Sequence, residues 1–498
     1  MFCKYIFKYI FSYLNSNDII PIVTLSKNTN KIIKELDLEI IEYDIDRAHK
    51  IFKTYNNIKL NLIINGNIKN NKKLNDIKNN IISFRNKGKS PTVNMENLEY
   101  LNINFNEIEN MKFKLKKLKH IYINNPYISK SINISNVNSL KYLNNIEILE
   151  LEVGISISLS LADFRNLKKL NCRCCTYMKN EDIKNLINLE LLCIINNLEI
   201  TNDAFKNLGK IKTLLLYNTL VTSEVLKYLP NIEILSLDNR SIRYDDYKYM
   251  ENVKKFKLLD LSCDNKISDE NIKNIDIEHI ILSNNDTITI SGLGKNIKKI
   301  DLERNSTIKN EDLKKLDLIY LNLSTNNVIT DEGLKFCKNL KILNLYSNSQ
   351  ITDEGLKEMK NLEYLNLKYR TTGINNKITD NSLKELKKLK HLNLEFNKNI
   401  TNDGIKTLTN LEYLNIKYNT NITIDALLNL KNLKEIECQY SRLSKDDLYN
   451  LTKNNKNLKI IIIHANTEKI LPSFYYSKKR NFINDYDEIA NNFLRMEW

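Results

Sequence analysis

Proline and glycine are scarce in this sequence, five and ten among 498 residues, and there is a single tryptophan. A chain so poor in turn-makers is not a loop-rich fold. Eight cysteines over that length make no disulfide framework, which points to a reducing compartment. Long apolar runs are also missing: no stretch reaches the roughly 18 residues of a membrane span. The amino end is greasy, but Lys4 and Lys8 interrupt it and no small-residue cleavage site follows, so it does not read as a secretory signal. Phe2 stands where myristoylation requires glycine, and no terminal cysteine box is present. The chain therefore reads as soluble and intracellular, cytoplasmic or nuclear, and in the host cell if its source is viral. Abundant Asn, Ile and Lys suit an A/T-rich genome of that kind or of a protist.

Chemistry-bearing motifs are equally absent. No Ser/His/Asp elbow, phosphate loop or carboxylate-rich metal motif stands out, so neither an enzyme nor a cofactor is expected. The net charge of +15 raises nucleic acid as a partner. Yet the basic residues are scattered in short groups such as Lys72-Lys73, Lys116-Lys117 and Lys478-Lys479-Arg480, and no nucleic-acid motif accompanies them. Neither a nucleic-acid nor a membrane partner is expected.

What the chain does have is one short string, repeated. Leu340-x-x-Leu343-x-Leu345-x-x-Asn348 returns at Leu362, at Leu389 and at Leu411. Starts can be read from Leu98 to Leu458, seventeen in all, most of them 20 to 25 residues apart. A fixed period of that length means stacked units, each burying its apolar edge against its neighbours. Counting from the first leucine, positions four and six of the alternating string point inward, and three, five and seven outward. The Asn at position nine turns the chain away and can satisfy backbone groups opened by the turn. Next comes Ile351-Thr-Asp-Glu-Gly-Leu, in which Thr352 or Asp353 can cap a short helix. Position nine departs from Asn at Pro126, Gly154, Cys175, Thr219, Arg240, Asp264, Arg370 and Ser441.

This pattern resembles the leucine-rich-repeat family, and the Ile-Thr-Asp-x-Gly-Leu phrase resembles its F-box subclass. The resemblance implies an α/β fold: a curved solenoid with parallel strands on its concave face and short helices outside. Residues 5–33 break the repeat. Ile6, Ile10 and Leu14 share a helical face, Asp18 ends a turn that caps a second helix, and Ser26 can cap a third. The string Ile10-Phe-Ser-Tyr-Leu14, Asp18-Ile-Ile, Leu25-Ser-Lys27 resembles an F-box, lacking that family's early Leu-Pro and its later Trp. The implied organisation is an F-box-like helical head at 1–35 and a linker with degenerate repeats or a cap at 36–97. The solenoid follows at 98–466, then a terminal cap at 467–498.

In that family the head binds a cullin-ligase adaptor and the repeats hold the protein to be ubiquitylated. The resemblance thus implies a substrate-recognition subunit, monomeric outside its ligase complex, with Ile6, Ile10, Phe11, Leu14, Ile19 and Leu25 on the adaptor. The alternative is a binding scaffold or sequestering protein with no ligase link, its head a plain helical cap. On the outward positions, Leu191, Cys193, Ile195, Leu215, Tyr217 and Ile234 make an apolar patch expected to meet solvent and a partner. Tyr320, Tyr364, His391 and Tyr413 stack at position three as a second target-binding candidate. Asn322, Asn344, Asn366, Asn393 and Asn415 form a column at position five, expected to bond side chain to side chain. Asp238, Asp260, Asp301 and Glu303 form an acidic stretch suited to a basic segment of a target. Cys172-Arg-Cys174-Cys175 invites a zinc reading, but Cys172 and Cys175 fall at core positions and paired spacing does not recur, so no metal is expected.

Overall fold

The computed structural model describes residues 39–42, 45–54, 59–64, 71–86, 95–104, 117–124, 145–152, 161, 164–173, 176, 178–238, 247–370, 377–455, 457–458 and 460–462. The adaptor-binding candidates Ile6, Ile10, Phe11, Leu14, Ile19 and Leu25, the terminal cap, and Cys174 and Cys175 lie outside them. The chain forms two compact units, residues 1–281 with 287–294, and residues 282–286 with 295–498.

In the first unit, strands at Glu39–Glu42, Lys59–Ile64 and Ile81–Asn86 already pair in parallel, each with the next, ahead of Tyr100–Asn104. The sheet thus begins about sixty residues before the first clear repeat start at Leu98, within the stretch expected to be a linker with degenerate repeats or a cap. The pairing continues one strand per repeat to Asp276–Ile281. In the second unit three-residue strands follow one another from Lys299–Asp301 to Ile460–Ile462.

The register in the second unit moves one repeat per strand, aligning Leu343, Leu365, Leu392, Leu414 and Ile436 in a single inward column. All five are fully buried, and each contributes about 1.5–3 kcal/mol in removing its side chain from water. Cys172 and Cys438 occupy inward position six and are buried like the leucines they replace. Burial pushes the Cys438 thiol up to about 12, helped by the charge of Glu437, which leaves it an inert core residue.

The turn after each strand rests on the position-nine asparagine. Asn348 Nδ2 donates to the carbonyls of Leu323 and Asn326, at 2.9 and 3.1 Å, in the preceding repeat. Its Oδ1 accepts from the amides of Gln350 and Ile351 at 2.9 and 3.0 Å. Asn326 repeats the arrangement, and Asn419 makes it with the carbonyls of Asn397 and Ile400, so an amide with both ends used tethers neighbouring units. Asp264, which stands in place of that Asn, accepts from the Lys266 amide and from the Tyr247 hydroxyl of the preceding repeat.

The Ile-Thr-Asp phrase has two roles. Thr352 caps the helix Asp353–Leu356, its Oγ1 accepting from the Glu354 amide at 3.2 Å. Its own amide and hydroxyl are held by Asp331, one repeat earlier. Asp353 holds Thr379 in the same way, and Asp380 holds Thr401. Asn310 and Asn402 serve Thr330 and Thr423 with an amide in place of the carboxylate. The glycine of the phrase leaves room for this grip: a Cβ at Gly333 would stand 2.6 Å from Asn310 Oδ1.

Candidate protein-binding surface

On the outward face of the second unit, position three aligns Tyr320, Ile342, Tyr364, His391 and Tyr413 across consecutive strands. Ile342 is 37% exposed and His391 is exposed, while the three tyrosines are half-buried. Rings stack along the row: Tyr364 to His391 at 6.0 Å and His391 to Tyr413 at 5.9 Å, each pair inclined by 29°. Partial burial holds the His391 imidazole below its ordinary pKa, with Lys390 and Lys434 acting in the same sense against the pull of Glu412.

Beside this row lies a line of buried charge. Lys417 pairs with Glu437, and Lys368 with Glu395 at 3.5 Å. The Tyr413 hydroxyl donates to Glu437 Oε1 at 2.8 Å; burial and the Glu437 charge drive its pKa upward, keeping the phenol neutral. These contacts fix the tyrosine's orientation, so the ring is presented in one pose.

The position-five asparagines do not form the side-chain column expected of them. Each turns its Oδ1 to an amide two residues on: Asn344 to Tyr346, Asn366 to Lys368, Asn393 to Glu395 and Asn415 to Lys417, all at 3.0 Å. The strands are only three residues long, so their ends need an acceptor, and the local bond wins over the ladder.

The apolar patch of the first unit is not open surface. Leu191, Leu215 and Ile234 are 2%, 3% and 2% exposed, and Cys193 is 1% exposed; Ile195 and Tyr217 are half-buried. Sheet neighbours cover only the flanks of an outward side chain, and at the equivalent position of the second unit they leave Ile342 at 37%. Leu191, Leu215 and Ile234 are thus as buried as the inward leucines. Two members of the acidic stretch, Asp260 and Asp301, are likewise occupied internally. Asp301 is 1% exposed and accepts from Ser283 Oγ, the Glu303 amide and Asn322 Nδ2 at 2.8, 2.9 and 2.6 Å. Asp260 accepts from Ser236 and Ser262.

Two regularities escaped the sequence reading. Position two alternates in sign along each unit. In the first, Glu147, Lys168, Glu190, Lys212, Glu233 and Lys257 alternate, pairing Glu147 with Lys168 at 2.8 Å and Glu233 with Lys257 at 2.6 Å. In the second, Lys341, Glu363, Lys390, Glu412 and Lys434 do the same, with Glu363–Lys390 and Glu412–Lys434 at 2.6 Å. The lysine bonds draw the carboxyls of Glu147, Glu363 and Glu412 below their usual range. An open groove of about 630 Å³ along the first of these ribs is lined by the paired Glu147 and Lys168 together with asparagines such as Asn166 and Asn188.

The second regularity is conformational. Position eight is left-handed in unit after unit, from Asn196 (φ 58°) and Asn218 (φ 52°) to Phe396 (φ 59°), Tyr418 (φ 56°) and Tyr440 (φ 55°). Its amide bonds to the next strand while the position-nine amide returns to the position-six carbonyl, as in Phe396 to Lys417 and Asn397 to Leu394. The sharp reversal takes positive φ with side chains as different as Asn218, Arg304 and Tyr418, whereas Tyr369 at the same position does not adopt it.

The family model described as Leucine Rich repeat matches residues 316–336, 336–360 and 385–408. Over the described residues the fold is the parallel-strand solenoid with short helices that leucine-rich repeats build. Similar solved structures include an internalin of Listeria monocytogenes, with 18% identity over 67% of this chain and 84% of that one (TM-score 0.33). Another is a leucine-rich-repeat protein of Leptospira interrogans, with 20% identity over 80% and 99% (TM-score 0.32). The mouse RP105/MD-1 complex is similar at 15% identity over 82% of each chain (TM-score 0.42). No curated protein matches the sequence. Among the described residues no helix is long and apolar enough to cross a membrane, and no group of three or more His, Cys, Asp or Glu could hold a metal ion.

Proposed function

We propose that this chain selects a protein target through the outward face of its second unit, and that its amino-terminal segment couples the selection to a cullin-ligase adaptor. The observation that carries the first half is the position-three row. Ile342 and His391 are exposed in a row of half-buried tyrosines, of which Tyr413 is held by Glu437, the kind of rigid, amphipathic anchor that dominates protein interfaces. The ligase half rests on the F-box-like string from Ile10 to Lys27. In this reading the chain carries no catalytic step; it brings a target to subunits that do.

Affinity purification from cell lysate tests both halves. The full chain is expected to retain a cullin adaptor, and a chain lacking residues 1–35 to lose it while keeping the target. Tyr364→Ala with Tyr413→Ala is expected to lose the target and keep the adaptor. If the full chain never retains an adaptor, the ligase half is wrong and a scaffold without ligase link remains.

A further inference from the structure

At position five, Asn344, Asn366 and Asn393 stand side by side on three consecutive strands. Each spends its Oδ1 on the backbone amide two residues on. Only the oxygen end of the side chain can meet an N–H, so the Nδ2 ends are left over. Among the described residues these three Nδ2 groups donate to nothing, and none is a sealed interior atom. The members that flank them on the same column differ. Asn322 Nδ2 donates to Asp301 Oδ2 at 2.6 Å, and Asn415 Nδ2 donates to Glu395 Oε2 at 3.4 Å. At both ends of the column the fold thus sets a carboxylate on the amide, and at the three middle positions it does not.

We propose that this row of donors takes an acidic stretch of the target, whose Asp or Glu carboxylates lie on Asn344, Asn366 and Asn393 as Asp301 and Glu395 lie on their neighbours. Adjacent strands are about 5 Å apart, so the row spans about 10 Å, room for two or three neighbouring carboxylates. A bond from an amide to a carboxylate is charge-assisted and stronger than one to a neutral carbonyl. From positions one to seven of these three repeats the charges are Lys341, Lys368 and Lys390 against Glu363 and Glu395, so an arriving acid meets a small positive excess. A basic stretch would bring donors to donors. Position three lies two residues earlier on each strand, and apolar residues of the same stretch would meet Ile342 there, 37% exposed. The proposal rests on the protein-binding reading for the face used; its donors are not the position-three side chains, so either can fail alone.

Fluorescence anisotropy on the full chain tests it, with labelled oligo(dT) and labelled peptides alternating Leu with Asp, Leu with Asn, or Leu with Lys. The Leu/Asp peptide is expected to bind about tenfold more tightly than the other two. An aspartate at position five still accepts the amide two residues on, as Asp301 does from Glu303 at 2.9 Å and Asp260 from Ser262 at 3.0 Å. The variant carrying Asn344→Asp, Asn366→Asp and Asn393→Asp therefore keeps its turns while offering oxygen in place of N–H, and is expected to lose the preference. Asn366→Asp alone carries the test if the triple variant melts well below the parent. A charge-matched control, Asn381→Asp with Asn429→Asp and Asn450→Asp at exposed positions off the sheet, is expected to keep the preference. The proposal is overturned if the Leu/Asn peptide binds as tightly, if no peptide binds, or if the aspartate variants keep the preference. It is also overturned if the control loses it, which would make it general charge. Oligo(dT) binding more tightly than the peptides, and lost in the same variants, overturns it in favour of nucleic acid. Peptide binding untouched by Tyr364→Ala with Tyr413→Ala would instead sink the position-three reading alone.

Discussion

Asp331 holds Thr352 of the following repeat by two bonds, taking its amide on Oδ1 at 2.9 Å and its hydroxyl on Oδ2 at 2.7 Å. The same threonine caps its own helix, so one side chain joins a local device to a long-range one. Asp331→Ala, which strands both donors, is expected to lower the unfolding free energy by about 1–3 kcal/mol. Asp331→Asn should lose less, because Asn310 and Asn402 do the same work elsewhere. Urea titrations of the two variants against the parent check the ordering.

Replacing Asn348 by alanine removes four bonds at once and strands the Asn326 carbonyl and the Gln350 and Ile351 amides, while the Leu323 carbonyl keeps the Asn326 amide. The expected loss is about 3 kcal/mol or more, comparable to the roughly 2–5 kcal/mol of Leu343→Ala in the adjoining core. Hydrogen exchange should show the effect spreading into the preceding repeat, since both carbonyls that Asn348 holds lie there.

Two substitutions separate surface from core. Leu191→Ala should destabilise by about 2–5 kcal/mol and leave target binding intact once folded. Tyr413→Ala should weaken the target by about 2 kcal/mol, roughly thirtyfold. Calorimetric affinities beside thermal midpoints distinguish them; a Leu191 variant that folds normally but loses the target would restore the first-unit patch as a docking surface.

His391 gives the fold a pH dependence of known sign. Its folded pKa is lowered by burial, so the unfolded chain binds the proton more tightly. Stability is full above the unfolded value, near 6.5, and falls as pH drops through that value toward the folded one. His391→Gln should remove that component of the slope of thermal midpoint against pH between about 5 and 7.

The paired charges at position two should matter little singly. Glu363→Gln is expected to change stability by less than about 1 kcal/mol, as exposed pairs do, and added salt should shrink the difference further. Reversal by Glu363→Lys puts three lysines in succession and should destabilise more, a loss that Lys390→Glu partly repairs.

The phase of each strand could be read from the chain because alternation needs only neighbours: Leu343 and Leu345 inward, Ile342 and Asn344 outward. The cap at Thr352 and the turn at Asn348 were legible for the same reason. The Asp331–Thr352 grip was not, since its partners are 21 residues apart and either alone looks like a helix start. Alternation of charge at position two shows only once Glu363, Lys390, Glu412 and Lys434 are aligned by register. Periodicity also tells which face a residue takes, not how deeply that face is buried, as Leu191 at 2% exposure shows.

At position eight the backbone's course is set by the bonds before and after it, and Asn196, Arg304, Thr325 and Tyr418 all follow that course. The frame is thus indifferent to the side chain mounted there. Each unit carries a row of sockets one strand apart, where chemistry can be exchanged repeat by repeat without redrawing the scaffold. Specificity can drift along such a row while the fold stands still.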